Sequence, residues 1–553
     1  MNRTVLSVGA VAVALAAVTG VAALTAPEEA ASSAESVGTA ARKPVERSTL
    51  VCPSPSTSDV AETAYEAFTP KGGPGKKGSA ALYAAERADP QDPADGEENG
   101  ESDSEESGKD KNQDKNQDDA KDDAKDGDSE DGGGSEGGAS GEDAAGKGNG
   151  KPFLSLSSPG TPVAAETDDS EAPALTGTAD GPFAPGWTVQ QTTTVAAGAG
   201  RGLQGTSCSV PDTSFWFPGA GTAEGRQDHV HLTNPDSTPA VVDLELYGKE
   251  GKEKAGQGSG KGITVPPHAT VPVLLSTLTP EPVTNVTLHV IARSGRVGAL
   301  IQSSDRKLGG DWLAPSADPG PGQVLPGIPE DATAVRLSVL APGGADADLK
   351  VQLAGKSGRI SPAGHESLHV KAGMVTTVDL KGLIKGEAGS LVLSPAEDGD
   401  DAPDVVAAAR VLRGKGSKQE TAFIPATAPV QKRATAAGNT ASGTTLALAA
   451  PEGGAKVRVT ASPGSGGGSP KSTTVTLKGH TTKAFTPPRP ADGKGGYAVT
   501  VERLSGGPVY ASRTLEHEQS GVPGFTVQTL PDDRSTVAVP ESAQDLSVLN
   551  DDE

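Results

Sequence analysis

The sequence has few aromatic residues and almost no cysteine. Phe, Trp and Tyr together make up 3% of the 553 residues, so any hydrophobic core must be small and mainly aliphatic. Cys52 and Cys208 are the only cysteines. Two thiols without a histidine close to them in the sequence do not complete a tetrahedral metal shell. We therefore expect neither a metal ion nor another cofactor.

The chain also lacks the local motifs of common enzyme classes. No G-x-S-x-G elbow and no H-E-x-x-H motif occurs. Residues 126–131 resemble a calcium loop, but Asp131 stands where that loop requires glycine. We predict that the protein is not an enzyme and assign no catalytic residue. An envelope hydrolase is the least favoured interpretation.

Basic residues are outnumbered, and the excess acid is concentrated in one segment. The net charge is −24, and residues 86–150 contribute −16 of it, with 23 acidic against seven basic side chains. An acidic chain does not favour nucleic acid or an anionic membrane surface as a partner. Because residues 86–150 have almost no apolar side chains to bury, they are predicted to form a disordered acidic insert.

Only one long hydrophobic run is present, at residues 5–24. Twenty helical residues span about 30 Å, the thickness of a bilayer core. The run is either a signal peptide, with a small-residue cleavage site at 20–22 or 21–23, or an uncleaved signal-anchor that leaves residues 1–4 in the cytoplasm. We slightly favour the anchor, which predicts a single-pass membrane protein with its bulk outside the cytoplasm; the alternative is a secreted protein.

A repeat of about 108 residues occurs three times. Its first part is a strand, a proline turn and a second strand, and the turn prolines Pro235, Pro342 and Pro451 are 107 and 109 residues apart (342 − 235 and 451 − 342). Two further strand pairs follow in each copy. The period-two alternation that places Val242, Leu244 and Leu246 on one face is typical of a strand buried on one side.

This pattern predicts an all-β fold of tandem immunoglobulin-like β-sandwich repeats. We expect the repeats to be beads, each with its own core, so that a fragment of about residues 210–318 folds alone. The predicted order is a stub at 1–4, the apolar helix at 5–24, a polar spacer at 25–46, an N-terminal β domain at 47–85 and 151–210 interrupted by the insert at 86–150, repeats at 211–320, 321–428 and 429–540, and an acidic tail at 541–553.

Three groups of side chains are candidates for a specific role. Cys52 and Cys208 are predicted to form a disulfide, because an isolated pair in an exported chain usually does; the bridge would join the two parts of the N-terminal domain. Trp216 and Trp312 could stack on a sugar ring if exposed, although tryptophan in a sandwich more often lies in the core. His229 and His231 share a strand face and could begin a metal site, but the sequence offers no third ligand.

The runs RGLQGTSC (201–208), SFWFPGAG (214–221) and HLTNPDSTPAVVDLELYGKEG (231–251) resemble a family of actinobacterial envelope proteins. That family is known only as a domain of unknown function with an N-terminal membrane segment. The resemblance covers Arg47 to about Val539 apart from the insert. It implies an envelope location and a fold class, but no activity. We therefore expect a non-enzymatic, membrane-anchored envelope protein that contacts an envelope component, with a cell-wall carbohydrate-binding protein as the alternative.

Overall fold

The computed structural model describes residues 41–88, 150–254, 260–397, 399, 401–519 and 522–539. The predicted helix at 5–24, residues 89–149 of the acidic insert and the tail at 541–553 lie outside these residues. The chain forms two compact units, one reaching to Pro44 and resuming at Thr536, the other spanning Val45–Ser535.

The described part of the smaller unit is a pair of antiparallel strands. Strand β1 (Ala41–Pro44) pairs with the last strand, β37 (Thr536–Val539), and Ala41 lies opposite Val539. The guanidinium Nε of Arg42 donates to the hydroxyl of Thr536 at 3.2 Å. The predicted polar spacer at 25–46 therefore contains a strand, which its polar side chains did not indicate.

The larger unit begins with a sandwich that the acidic insert divides. Its strands are β2 Arg47–Cys52, β3 Ala61–Phe68, β4 Ala80–Ala84, β5 Glu86–Arg87, β6 Leu154–Ser155, β7 Val163–Thr167, β8 Leu175–Asp180, β9 Thr188–Val195 and β10 Gly202–Ser207, with a 3-10 turn at Gly181–Phe183. One sheet has the order β2-β8-β4-β6 and the other β10-β9-β3-β7. We call this the N-terminal sandwich.

Repeat 1 forms the next pair of sheets. Its strands are β11 Ser214–Ala220, β12 Arg226–Thr233, β13 Ala240–Gly248, β14 Gly251–Lys252, β15 Ile263–Val265, β16 Ala269–Leu274, β17 Val286–Ser294, β18 Gly298–Asp305 and β19 Gly309–Leu313, with a 3-10 turn at Leu275–Thr277. The first sheet has the order β11-β17-β13, with β14 and β15 both on β13, and the second β19-β18-β12-β16-β5.

Repeats 2 and 3 follow the same plan. The strands of repeat 2 are β20 Gln323–Ile328, β21 Ala334–Leu340, β22 Ala347–Ala354, β23 Arg359–Ile360, β24 Ser367–Val370, β25 Val375–Asp379, β26 Gly389–Pro395, β27 Val406–Arg413 and β28 Glu420–Pro425, with a 3-10 turn at Gly416–Lys418. Those of repeat 3 are β29 Arg433–Asn439, β30 Thr444–Ala450, β31 Ala455–Pro463, β32 Lys471–Leu477, β33 Thr481–Phe485, β34 Tyr497–Gly506, β35 Tyr510–Gln519 and β36 Val522–Leu530.

All four sandwiches share one strand order. If the eight main strands of a sandwich are lettered a to h along the chain, one sheet runs a-f-c-d and the other h-g-b-e in every case. The all-β sandwich prediction is confirmed. The structure adds a fourth copy to the three found in the sequence, because the N-terminal sandwich has the same topology. The acidic insert, which lies between its strands c and d, had concealed the repeat.

The start of the acidic insert is ordered. Strand β5 pairs in parallel with β16 of repeat 1, and the N–H of Ala88 donates to the carbonyl of Thr270 at 2.9 Å. The prediction that disorder begins at Glu86 is therefore wrong for residues 86–88. The sequence of residues 86–88 gives no sign of this pairing, because a short parallel edge strand is held by backbone hydrogen bonds and needs no apolar face.

The cores are aliphatic and not self-contained. The core cluster of repeat 1 includes Ala408 and Phe423 of repeat 2, and the cluster of repeat 2 includes Phe525 and Val527 of repeat 3. The expectation of beads with separate cores is wrong in this respect, since part of each apolar surface is buried against the next sandwich.

Candidate functional site

The four sandwiches meet at their h strands. Strand β10 contacts β19, β19 contacts β28, β28 contacts β36, and β36 contacts β10, so that the four strands form a closed cycle. We call this cycle the four-strand junction. An h strand is the edge of its sheet, and an edge normally faces solvent. Here every residue of β19 and of β28 is buried, because the neighbouring sandwiches cover them.

Asp311 of β19 is the most buried carboxylate of the junction, with no measurable exposure. Its carboxylate accepts a hydrogen bond from the N–H of Gly205 at 3.0 Å and from the hydroxyl of Thr526 at 3.1 Å. The N–H groups of Trp312 and Phe423 also donate to it. The four donors come from the four different sandwiches, so one side chain connects all of them.

No cation neutralises this carboxylate among its hydrogen-bond partners in the described residues. Burial therefore raises the pKa of Asp311 well above its ordinary value, while the four hydrogen bonds oppose the increase. A lone buried carboxyl with several donors is costly to desolvate, and it is tolerated where its hydrogen bonds are made. The hydrogen bonds that offset the burial of Asp311 are therefore complete only when all four h strands are packed together.

The approach of the strands at Asp311 requires glycine in β10. A Cβ atom on Gly205 would lie 2.6 Å from Cγ2 of Thr526 and 2.7 Å from Nε2 of Gln528. Real Cβ atoms do not come this close to other heavy atoms, so an alanine would push β36 away. Glycine at position 205 of β10 therefore permits the close approach of β36.

Two interfaces of the cycle are built from an arginine over an aromatic ring. The guanidinium carbon of Arg226 lies 5.4 Å from the ring centre of Phe423, between repeats 1 and 2. That of Arg413 lies 4.9 Å from the ring centre of Phe525, between repeats 2 and 3. Arg226 is also paired with the buried Asp228 at 2.7 Å. Such stacked arginines combine apolar burial with a charge that the neighbouring carboxylate neutralises.

The interface between repeat 3 and the N-terminal sandwich combines buried charged groups with an apolar contact of Phe68 with Ala437 and Ala498. Arg513 is fully buried; its Nε donates to Oε1 of Gln528 at 2.6 Å, and its guanidinium also donates to the carbonyl of Ala437. Burial raises the pKa of Glu66 to about 7, and the positive charge of Arg513 partly opposes this shift. Burial likewise lowers the pKa of Arg513 to about 10. In both groups the loss of hydration outweighs the attraction between the charges.

A second buried carboxylate lies beside the junction. Glu420, at the start of β28, is packed against Gly202 of β10 and Gly309 of β19. Its Oε1 is 3.9 Å from Nε of Arg201. Burial raises the pKa of Glu420 to about 7, and Arg201 lowers it only in part.

The predicted disulfide is confirmed. The sulfur atoms of Cys52 and Cys208 are bonded, and both side chains are buried in the N-terminal core. The bridge spans 156 residues of sequence and ties strand β2 to the segment after β10. It therefore closes the same sandwich that the acidic insert interrupts.

The two candidate stacking tryptophans are buried. Trp216 is 8% exposed and stacks on the imidazole of His289, with ring centres 3.5 Å apart. Trp312 is 2% exposed and meets the edge of His231 at 5.3 Å. Protein side chains pack against both rings, so neither offers an open surface to a sugar. The carbohydrate-binding alternative loses the side chains that suggested it.

The paired histidines lie on β12 as expected but are not equivalent. His231 is buried, and the loss of hydration lowers its pKa to about 3, whereas His229 is partly exposed. Within the described residues no three His, Cys, Asp or Glu side chains come together as metal ligands. Among those same residues, no helix has the length and apolarity that a membrane crossing requires.

The fold and the junction together define an all-β protein of tandem sandwiches, closed by a buried polar centre and one disulfide. Residues 163–488, more than half of the chain, match the family of unknown function DUF5719, and the chain belongs to that family. No curated protein and no solved structure matches the chain.

The sequence patterns do not identify the buried carboxylates at and beside the junction. Asp311 stands in the run Gly309-Gly310-Asp311-Trp312-Leu313, and an acid between glycines and apolar residues in a strand is the one local signal that could have marked it. Glu66 carries no such signal, because it lies in an ordinary alternating strand, and Glu420 carries none, because it is the first residue of its strand.

Proposed function

We propose that this protein is a non-enzymatic, extracytoplasmic envelope protein of actinobacterial type, anchored in the membrane by residues 5–24. In this proposal the closed cycle of sandwiches is a rigid module that presents its outer faces for a structural or binding role. The proposal keeps secretion of the whole chain as its alternative.

The disulfide is the observation that carries the proposal. Disulfides persist in oxidising compartments and are rare in the cytoplasm. The bridge between Cys52 and Cys208 lies in the core of the N-terminal sandwich and is a covalent link between the two segments that the insert separates. The apolar run at 5–24, directly after a basic start, supports export independently.

The closed junction supports a structural role over a catalytic one. Asp311 has hydrogen-bond donors from all four sandwiches, and the h strands that carry it are buried. A group enclosed in this way has no access to a substrate, whereas catalytic side chains must reach one. Asp311 therefore serves to stabilise the packing of the four sandwiches.

The thiol state of the protein and its cell fraction test the location. Each cell fraction is precipitated in acid, and the denatured protein is treated with a maleimide that adds a large mass, with and without prior reduction. We expect no reactive thiol without reductant and two after reduction, in the detergent-extractable membrane fraction. A variant lacking residues 5–24 should remain in the cytoplasm with both thiols reactive.

A Cys52→Ser/Cys208→Ser variant gives the background of the assay. Two reactive thiols in the full chain without reductant, or the same soluble distribution with and without residues 5–24, would contradict the proposal. Release of a shortened, oxidised chain into the medium would favour the secreted alternative.

A further inference from the structure

Repeat 3 differs from the rest of the chain in charge. Residues 429–540 carry 12 Lys and Arg against seven Asp and Glu, a net charge of +5. Residues 211–320 carry nine against 12, a net charge of −3, and residues 321–428 carry 11 against 13, a net charge of −2. The whole-chain charge of −24 therefore hides one basic sandwich.

The basic side chains of repeat 3 are concentrated along strands β31 and β32. Lys456 and Arg458 project from the outer face of β31 and are exposed, while Lys471 and Lys478 stand at the start and just beyond the end of β32. We call these four residues the repeat 3 edge. The corresponding outward positions of strand c in the other repeats are not basic pairs: they are Val241 with Asp243, and Asp348 with Lys350.

Most of these cations lack a neutralising partner. Among the residues that the structure describes, no carboxylate forms an ion pair with Lys456, Lys471 or Lys478. Arg458 alone has a partner, Glu502, at 3.0 Å, and both of these side chains are exposed to solvent. An exposed pair of this kind contributes little. The three lysines leave a positive potential along one side of the sandwich, which attracts anions.

Hydroxyl groups lie between the cations. In the register of β31 with β32, Thr476 is opposite Lys456, Thr474 is opposite Arg458, and Ser472 is opposite Thr460. These hydroxyls of β32 are exposed. Lys471 is opposite the core residue Ala461, so it projects from the inner side of the β32 edge and not from the outer face that carries Lys456 and Arg458. Since β32 pairs with β31 only, this edge also presents unpaired backbone N–H groups. Lysine charge with hydroxyl and N–H donors along one edge is suited to the oxygens of phosphate groups.

We propose that the repeat 3 edge binds a linear phosphate-bearing polymer outside the chain. A polymer is favoured over a single phosphate because the cations extend along the seven residues of β32 and do not converge on one point. The proposal does not depend on the location argued above, because binding is measured on the purified protein.

Binding of long-chain inorganic polyphosphate to the full oxidised chain tests this proposal. We compare the wild type with Lys456→Gln/Lys471→Gln/Lys478→Gln by fluorescence anisotropy between about 25 and 200 mM salt. Each phosphate contact contributes a salt-dependent increment, so the triple variant should bind about tenfold more weakly, with a salt slope lower by about two to three. All three positions are exposed, so the melting temperature should not change.

A matched control removes the same charge elsewhere. Lys350, Lys371 and Lys381 are exposed lysines of repeat 2. The variant Lys350→Gln/Lys371→Gln/Lys381→Gln should bind polyphosphate as the wild type does, within about twofold.

Three results would overturn the proposal. The wild type does not bind polyphosphate at the lowest salt, the two triple variants lose equal affinity, or poly-glutamate binds as tightly as polyphosphate. Lysines at a strand edge also prevent edge-to-edge association. If the Lys456→Gln/Lys471→Gln/Lys478→Gln variant aggregates, as measured by size-exclusion chromatography, and the wild type does not bind polyphosphate, the lysines serve to prevent edge-to-edge association.

Discussion

Replacing Asp311 with alanine should weaken the packing of the four sandwiches against one another at the junction. The substitution removes the acceptor for the N–H of Gly205 and for those of Trp312 and Phe423. The hydroxyl of Thr526 can still donate to the carbonyl of Gly205, at 3.4 Å. Three backbone donors from three different sandwiches therefore lose a buried partner.

The expected loss of stability follows from these groups. A buried donor without an acceptor costs about 1 to 3 kcal/mol. Three such donors would cost several kcal/mol, but the variant also removes a carboxyl whose burial is itself unfavourable. We therefore expect a net loss of about 3 kcal/mol in the free energy of unfolding.

Urea unfolding of the oxidised protein measures this loss by circular dichroism and tryptophan fluorescence together. Trp312 lies next to Asp311 and is 2% exposed, so its emission reports on the junction. In the variant the fluorescence transition should precede the loss of β structure, because the junction opens before the sandwiches unfold.

Asp243→Ala is the matched control. Asp243 is a buried aspartate of repeat 1, and it accepts hydrogen bonds from Gly262 at 2.8 Å and from Nε of Arg293 at 2.7 Å, both within the same sandwich. This variant should lose stability with coincident transitions. The prediction is refuted if the free energy of unfolding of Asp311→Ala is within about 0.5 kcal/mol of the wild-type value, or if its two transitions coincide as in the control.

Four further results are expected. Cys52→Ser/Cys208→Ser should lose at most about 5 kcal/mol, the chain-entropy value for a loop of 156 residues, measured by melting against the oxidised wild type. The contribution of Glu66 to stability should be complete below pH about 4.5 and decrease as the pH rises to about 7, because the folded state retains the proton; Glu66→Gln should remove this part of the pH profile. Deleting residues 89–149 should leave the melting temperature nearly unchanged, since the sequence of this segment has almost no apolar side chains to bury; a large decrease would contradict this. A fragment of residues 210–318 should fold but melt below one of residues 210–428, which retains Phe423; equal melting temperatures would show that the shared core is unimportant.

The strands could be predicted because their signals are local, and the disulfide because the chain has only two cysteines. The alternation of Val242, Leu244 and Leu246 matches their burial in β13, since a strand with one face on its own core must alternate. Cys52 and Cys208 had only each other as partners. Copy length and turn prolines were enough to locate three sandwiches.

The fourth copy and the junction could not be predicted in this way. The N-terminal sandwich is split between strands c and d, so no continuous stretch of sequence displays its repeat. The h strands look like exposed edges, and they are buried only because sandwiches from distant parts of the chain pack against them. Asp311 gains its donors from Gly205, Phe423 and Thr526, which lie at sequence separations of about one hundred to two hundred residues. Burial of a side chain inside its own sandwich follows from the local periodicity of the strand. Burial against another sandwich depends on how the four sandwiches pack around the junction, and only the tertiary structure decides that.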